Sequence, residues 1–299
     1  MLDNIKTSFS ISDLQELSGI SVHNIRMWER RYNLLDPSRT HSNIRRYTNE
    51  HLKKLLNISF LLKSGYKISE LASFTDHQFN IEINSVLALD NDFQLAINDF
   101  KMAMLNFDSR LFEDTYHRLR DTMSFYDLFL KVMVPFLEHI GSLWQTNSIT
   151  VAHEHYVSNI LRQKIFYQIE HLPRSGPGQK ERYILFLPLN ELHELGLLFI
   201  HYTLLMMGKD SIYLGPNVDI ESLEGLPQNE RHIYISYMTM GAPDEDLSGY
   251  FREFRKSLMK SEDKFWVTGA RVQKLPKVPG SKNISIFKSI YELLSYIKT

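Results

Sequence analysis

The chain has 299 residues, 43% hydrophobic and 23% charged, with a net charge of −1, which is enough for two or three domains that each bury a core. Cysteine is absent, which excludes disulfides, thiolate metal sites and thiol redox sensing. No apolar run approaches bilayer-spanning length and residues 1–4 show no signal-peptide pattern, so the protein is expected in the cytoplasm with no membrane partner.

Charge is uneven along the chain. Residues 1–70 hold eleven Lys and Arg against seven Asp and Glu, a surplus of four, which leaves −5 for the remainder. A basic nucleic-acid module joined to an acidic body has this asymmetry.

At the basic end, Ser10 with Asp13 predicts a helix N-cap, and Ile11, Leu14 and Leu17 make an apolar face that stops at Gly19. Ser21 is predicted to cap a second helix whose Val22, Ile25 and Trp28 point inward, leaving His23, Asn24, Arg26, Arg30 and Arg31 on other faces. Two short helices joined this way form a helix-turn-helix, whose second helix presents its first residues to the major groove. A loop carrying Arg39 and Thr40, followed by Asn43-Ile44-Arg45-Arg46-Tyr47, reads as a wing before Thr48 caps a third helix.

The ordered series Ile11-Ser12-Asp13-Leu14, Gly19-Ile20-Ser21, Ile25-Arg26 with Trp28-Glu29-Arg30-Arg31-Tyr32, Arg39-Thr40 and Asn43 to Tyr47 resembles the MerR family over about the first 75 residues. The resemblance implies that Arg26, Arg39, Arg45 and Tyr47 meet backbone phosphates, with Arg30 on the same module, while His23 and Asn24 read bases. Phosphate contacts set register and base-edge contacts set sequence.

From about Phe93 to His171, apolar residues recur at helical spacing, which predicts four helices packed as a bundle. The clearest stripe runs from Phe125 through Leu128, Phe129, Val132 and Phe136 to Leu143 and Trp144. Pro135 is predicted to bend it, and Ser148 to cap the next helix. Trp144 is followed after nine residues by Glu154-His155, so an aromatic ring near one helix end and an acid–imidazole pair near the next helix start can face one ligand. This spacing is similar to the signature of CarH-type and LitR-type regulators, where these residues cover the upper face of adenosylcobalamin. Gln145 departs from that pattern: family photoreceptors commonly place a histidine after the tryptophan.

The Gly/Pro-dense segment from Leu172 to Lys180 marks a domain boundary. Beyond it, strands are predicted at Tyr183 to Leu187, Ser211 to Leu214, His232 to Ser236 and Phe265 to Thr268. They alternate with helices from Leu192 to Met207, over 245–260 and over 287–297. Alternation predicts a parallel sheet with helices on both faces and a ligand beyond the carboxyl ends of the strands. Glu191-x-His193-x-x-Gly196 follows the first of these strands: the imidazole can reach a ligand, the acid can hold its other nitrogen, and the glycine permits close approach.

That pattern resembles the cobalamin-binding domains of methyltransferases, mutases and some light-dependent regulators, and implies His193 as the cobalt ligand with Glu191 orienting it. In that family a serine after a middle strand and a glycine pair near the last strand make room for the nucleotide tail. Here these become Ser236 with Thr239, and Gly269-Ala270, where the added methyl departs from the family. Gly215 and Gly241 are read either as close-approach points or as turn glycines.

Taken together, the expectation is a multidomain α and α/β chain. It comprises a winged helix-turn-helix over 1–76, a four-helix bundle over 90–172 that caps the upper face, and a Rossmann-like parallel-sheet cobalamin-binding domain over 181–299. The implied protein is a repressor that senses adenosylcobalamin (methylcobalamin is the alternative), in the light-responsive form a photoreceptor. Its partners are double-stranded operator DNA and further copies of itself, as dimer or tetramer. Two rivals stay open: a MerR-type regulator whose degenerate cobalamin fold senses another ligand or protein, and a corrinoid methyltransferase or mutase component.

Overall fold

A computed structural model describes residues 8–40, 42–89, 93–145, 148–173, 180–227, 230–239, 246–274 and 282–298. They fall into two compact units, Met1–Val157 and Ser158–Thr299.

The first unit opens with α1 (Ile11–Ser18) and α2 (Val22–Tyr32). Ser10 and Asp13 form a reciprocal capping box at the start of α1, and Ser21 accepts from the Asn24 N–H at the start of α2. The wing is a hairpin of β1 (Ser38–Arg39) and β2 (Arg45–Arg46), with Arg39 directly opposite Arg45. Thr48 then caps α3 (Asn49–Lys63), which is followed by α4 (Ile68–Leu71) and α5 (Asp76–Leu89). Leu14, Leu17, Ile25, Trp28, Leu52, Leu55 and Leu56 are buried, so the helical spacing read in the sequence marks the inward faces.

The bundle follows with α6 (Gln94–Asn106), α7 (Ser109–Arg120), α8 (Phe125–Leu128), a π-helical turn over Phe129–Met133, and α9 (Val134–Gln145). Phe100 packs its ring against Phe112 at 4.7 Å and Phe136 at 5.7 Å. The π turn is the form taken by the irregularity expected at Pro135. Proline has no N–H for the Lys131 carbonyl, and the Val134 N–H reaches back five residues to the Phe129 carbonyl instead.

The last bundle helix, α10 (Val151–Glu170), runs from the first unit into the second. Its cap differs from expectation: Thr150, not Ser148, stands at the start, its carbonyl accepting from the His153 and Glu154 N–H groups. Ser148 is buried before the first turn.

The second unit contains β3 (Glu181–Phe186), α11 (Leu195–Met206), β4 (Ser211–Gly215), α12 (Ile220–Leu223), β5 (Arg231–Tyr237), α13 (Leu247–Ser257), β6 (Lys264–Thr268), β7 (Ile284–Ile286) and α14 (Ile290–Lys298). The strands form one parallel sheet in the order β4-β3-β5-β6-β7. Side chains alternate across it: Ile184, Phe186, Tyr234, Phe265 and Val267 face Phe251 and Phe254 of α13, while the tilted rings of Tyr183 and Trp266 meet on the other face, where Trp266 also meets Tyr296 of α14. Strand β7 and helix α12 were not predicted; both are too short to show a period. The linker residues 174–179 and Gly241 lie outside the described residues.

The order of this sheet reverses at its first strand: β3 lies between β4 and β5, and the chain leaves it in opposite directions. Loops that leave the carboxyl ends of β3 and β5 therefore diverge and leave a crevice, the place where ligands bind in such sheets.

Candidate functional site

The crevice is where Glu191 and His193 sit. Helix α11 was expected from about Leu192 but begins at Leu195, because Glu191 turns back onto the loop. Its Oε1 accepts from the His193 N–H at 3.0 Å and lies 2.7 Å from His193 Nδ1. Its Oε2 accepts from the Thr239 N–H at 2.6 Å, so one carboxylate ties the loop after β3 to the loop after β5 across the switch point. Glu191 is only 1% exposed. A buried carboxylate needs this many donors to offset its lost hydration.

The His193 side chain, by contrast, is 49% exposed. Donation of Nδ1–H to Glu191 fixes the tautomer whose lone pair is on Nε2, the arrangement that orients and strengthens a metal-ligating imidazole. Leu189 and Leu192 flank it on the same loop with their side chains exposed, which suits a flat, largely apolar ligand face. The sequence reading did not single them out.

Around this dyad the other expected residues divide. The Ser236 and Thr239 hydroxyl oxygens are buried with no hydrogen-bond partner among the described residues, two polar groups open to a ligand's donors or acceptors. A Cβ on Gly196 would meet the Tyr237 ring at 2.8 Å, so the missing side chain makes room for that ring. Gly269 has φ +115°, and a Cβ there would fall 2.2 Å from the Met238 carbonyl oxygen. Its lack of side chain is thus demanded by backbone packing between β5 and β6. Gly215, with φ +81°, ends β4 where the pairing with β3 slips by one residue.

One further group beside the dyad escaped the sequence reading. Glu194 accepts from Arg162 Nε at 2.5 Å and from the Tyr213 hydroxyl at 2.5 Å. Burial and this bond to Glu194 hold the Tyr213 hydroxyl protonated well above its ordinary range. Nothing in a lone Glu-Leu-Gly announces it: its partners lie 32 and 19 residues away.

In the first unit, Trp144 is exposed near the carboxyl end of α9, and Glu154 lies 3.5 Å from His155 Nε2 in the first turns of α10. Val151 is exposed on the same turn. An exposed tryptophan ring at one helix end and an acid–imidazole pair in the first turns of the next helix have the parts to receive an apolar group with hydroxyls. Donor chemistry and orphaned hydroxyls thus fit a corrinoid held by His193.

Of the residues expected to face DNA, one is buried. His23, Arg26, Arg30 and Arg39 are exposed, and Asn24 lies half-buried in the first turn of α2. Arg39 donates to Asn43 Oδ1 at 2.7 Å, and Arg45 Nε is 3.3 Å from Glu29. Like charges directly opposite in a hairpin repel, which a polyanion relieves. Tyr47 does not join them: it is fully buried, bridges to Phe9, and donates its hydroxyl to Glu29 Oε1 at 2.6 Å. It positions Glu29, and through it Arg45, instead of reaching a phosphate.

Residues 9–78 match the family described as MerR HTH family regulatory protein, and residues 96–167 match the B12 binding domain. The chain is 27% identical to the HTH-type transcriptional repressor CarH of Myxococcus xanthus, over 88% of this chain and 89% of that protein. It is 25% identical to the HTH-type transcriptional repressor CarA of the same organism, over 79% of this chain and 78% of that one. The fold is similar to that of the monomethylamine corrinoid protein of Methanosarcina barkeri, with a TM-score of 0.52, 12% identity, and coverage of 69% of this chain and 98% of that one.

Proposed function

We propose that this chain, a CarH-like joining of a MerR-type helix-turn-helix to a B12-binding domain, is a DNA-binding transcriptional repressor that senses adenosylcobalamin. The observation that carries the reading is the buried Glu191 carboxylate, which holds His193 Nδ1 at 2.7 Å and aims the Nε2 lone pair outward from a half-exposed ring. The curated relatives are repressors, which supports a regulator and not an enzyme. Among the described residues no helix is long and apolar enough to cross a membrane, in keeping with a cytoplasmic regulator.

In this reading the segments 1–76, 90–172 and 181–299 act as DNA-binding head, cap and corrinoid-binding domain. His193 would ligate the cobalt through Nε2, with Glu191 orienting its ring. Ser236 and Thr239 line the path of the nucleotide tail, and Gly196 and Gly269 let the Tyr237 ring and the Met238 backbone pack closely beside it. Trp144, Glu154 and His155 would receive the cofactor's adenosyl group. Bound adenosylcobalamin supplies a cobalt–carbon bond that light can break. Arg26, Arg39 and Arg45 hold phosphates, Arg30 adds charge, and His23 and Asn24 read base edges. Occupancy changes how copies of the chain associate, and paired heads grip an operator far more tightly than one.

A second reading draws on two observations. The Tyr237 ring occupies the space beside Gly196, and Ala270 stands where the family has glycine. A degenerate fold that senses another ligand or a protein would look the same there.

The test is reconstitution with adenosylcobalamin in darkness, followed by absorbance, particle mass and gel shift on operator DNA, then illumination and repetition. The proposal expects stoichiometric pigment retention and a mass change that tracks operator binding. A colourless protein supports the second reading. Retention with no response to light assigns a dark sensor, as Gln145 would favour.

A further inference from the structure

A cavity of about 180 Å³ lies inside the first unit, away from every residue assigned above. Its wall is shared by α1 and α3 of the helix-turn-helix and by α6 and α9 of the bundle. Lys63, Lys101 and His139 line it, together with Gln94, Asn98 and Ser59, and among the described residues no Asp or Glu does.

The Lys101 ammonium is 4% exposed, and its one hydrogen bond among the described residues is a long one, 3.4 Å to the Leu17 carbonyl at the end of α1. His139 Nε2 is buried with no hydrogen-bond partner among the described residues. Burying an ammonium without a counter-ion is costly, and an orphaned imidazole nitrogen adds to that cost. Burial and then Lys63 lower Lys101 to about 7, and burial, Lys101 and Lys63 in that order lower His139 to about 4. Lys63 and Lys101 thus repel one another across a polar void, and His139 beside them stays neutral.

We propose that this cavity binds a small oxyanion, a phosphate or carboxylate group, accepting hydrogen bonds from Lys101 and His139 and pairing with Lys63. An anion there supplies the missing counter-charge and occupies the wall that the DNA-binding helices share with the bundle. Its binding therefore stiffens that junction, a second input to the same head that does not depend on the corrinoid reading.

The test uses the full chain in chloride buffer at fixed ionic strength, titrated separately with inorganic phosphate and with succinate. Heat and ¹⁵N-histidine NMR are the readouts. The proposal expects saturable one-to-one binding of at least one anion, with a shift of the His139 ring signal. Lys101→Met and His139→Gln should each weaken binding by about tenfold or more, and Lys63→Met by less. Phosphate alone binding assigns a phosphorylated ligand, and succinate alone a carboxylate. Should Lys101→Met fail to fold, His139→Gln and Lys63→Met decide. Failure of both anions to saturate, or binding unchanged in these variants, overturns the proposal.

Discussion

Replacing Glu191 by Gln tests how much of the site rests on one carboxylate. The side chain keeps its shape, but one of its two oxygens becomes an NH2 group. One oxygen now accepts from His193 N–H and Nδ1, the other from Thr239 N–H, so whichever way the amide turns a donor meets a donor. If the amide faces Thr239, the strap between the loops after β3 and β5 opens; if it faces His193, the imidazole loses its orienting acceptor. A hydrogen bond to a charged group contributes about 1.5–3 kcal/mol, and the 1% exposure of Glu191 means water does not replace it. Urea unfolding of Glu191→Gln should therefore show a loss of about 2 kcal/mol. Cobalamin affinity, read by absorbance titration, should fall by roughly 10–100-fold, as when a metal ligand loses its supporting acceptor. A variant within about 0.5 kcal/mol of the parent, with unaltered affinity, refutes the reasoning, since surface changes commonly fall in that range.

The remaining expectations concern the DNA face and the response to acid. Arg45→Ala should weaken operator and random DNA alike and reduce the slope of log affinity against log salt by about 1 in gel shifts. Tyr47→Phe should leave that slope unchanged while lowering stability by about 1–2 kcal/mol in thermal melts, because Glu29 loses a buried donor; a flattened slope in Tyr47→Phe would return the tyrosine to the phosphate-contacting set. Burial lowers His201 from 6.5 to about 4. The unfolded chain therefore takes up a proton first as pH falls, and the stability present above pH 6.5 is lost progressively down to about pH 4. At about 1.4 kcal/mol per unit this comes to about 3 kcal/mol, so His201→Asn should melt with a shallower loss over that window than the parent.

Much of this architecture was legible in the sequence because the signals are local. Ser10 with Asp13, Ser21 and Thr48 announce helix starts through contacts three residues long, and the structure forms each of those caps. The strands β3 and β5 read clearly because both faces of a parallel sheet are covered, so Tyr183 to Phe186 and Ile233 to Ile235 run as continuous apolar stretches. What escaped was set by distant partners. Tyr47 looks the same in sequence whether it meets a phosphate or the Glu29 carboxylate 18 residues away, and only packing against Phe9 decides. The start of α11 slips from Leu192 to Leu195 because a tertiary bond to Thr239 competes with helical propensity. Ser148 and Thr150 are equally good caps by composition, and His153, whose Nδ1 lies 3.1 Å from the Thr150 nitrogen, selects the second. Gly269 was read as room for a ligand, whereas the Met238 carbonyl already requires it. The cavity beside Lys101 left no sequence signal, since its wall is drawn from four helices.

The account turns on whether His193 Nε2 bonds to cobalt. Electron paramagnetic resonance of the protein loaded with Co(II) cobalamin, prepared with ¹⁴N-histidine and again with ¹⁵N-histidine, reads that bond directly. The account predicts that the axial nitrogen splitting changes from a triplet to a doublet on labelling and disappears in His193→Ala. A splitting indifferent to the label contradicts it, because the axial nitrogen would then belong to the cofactor's own base.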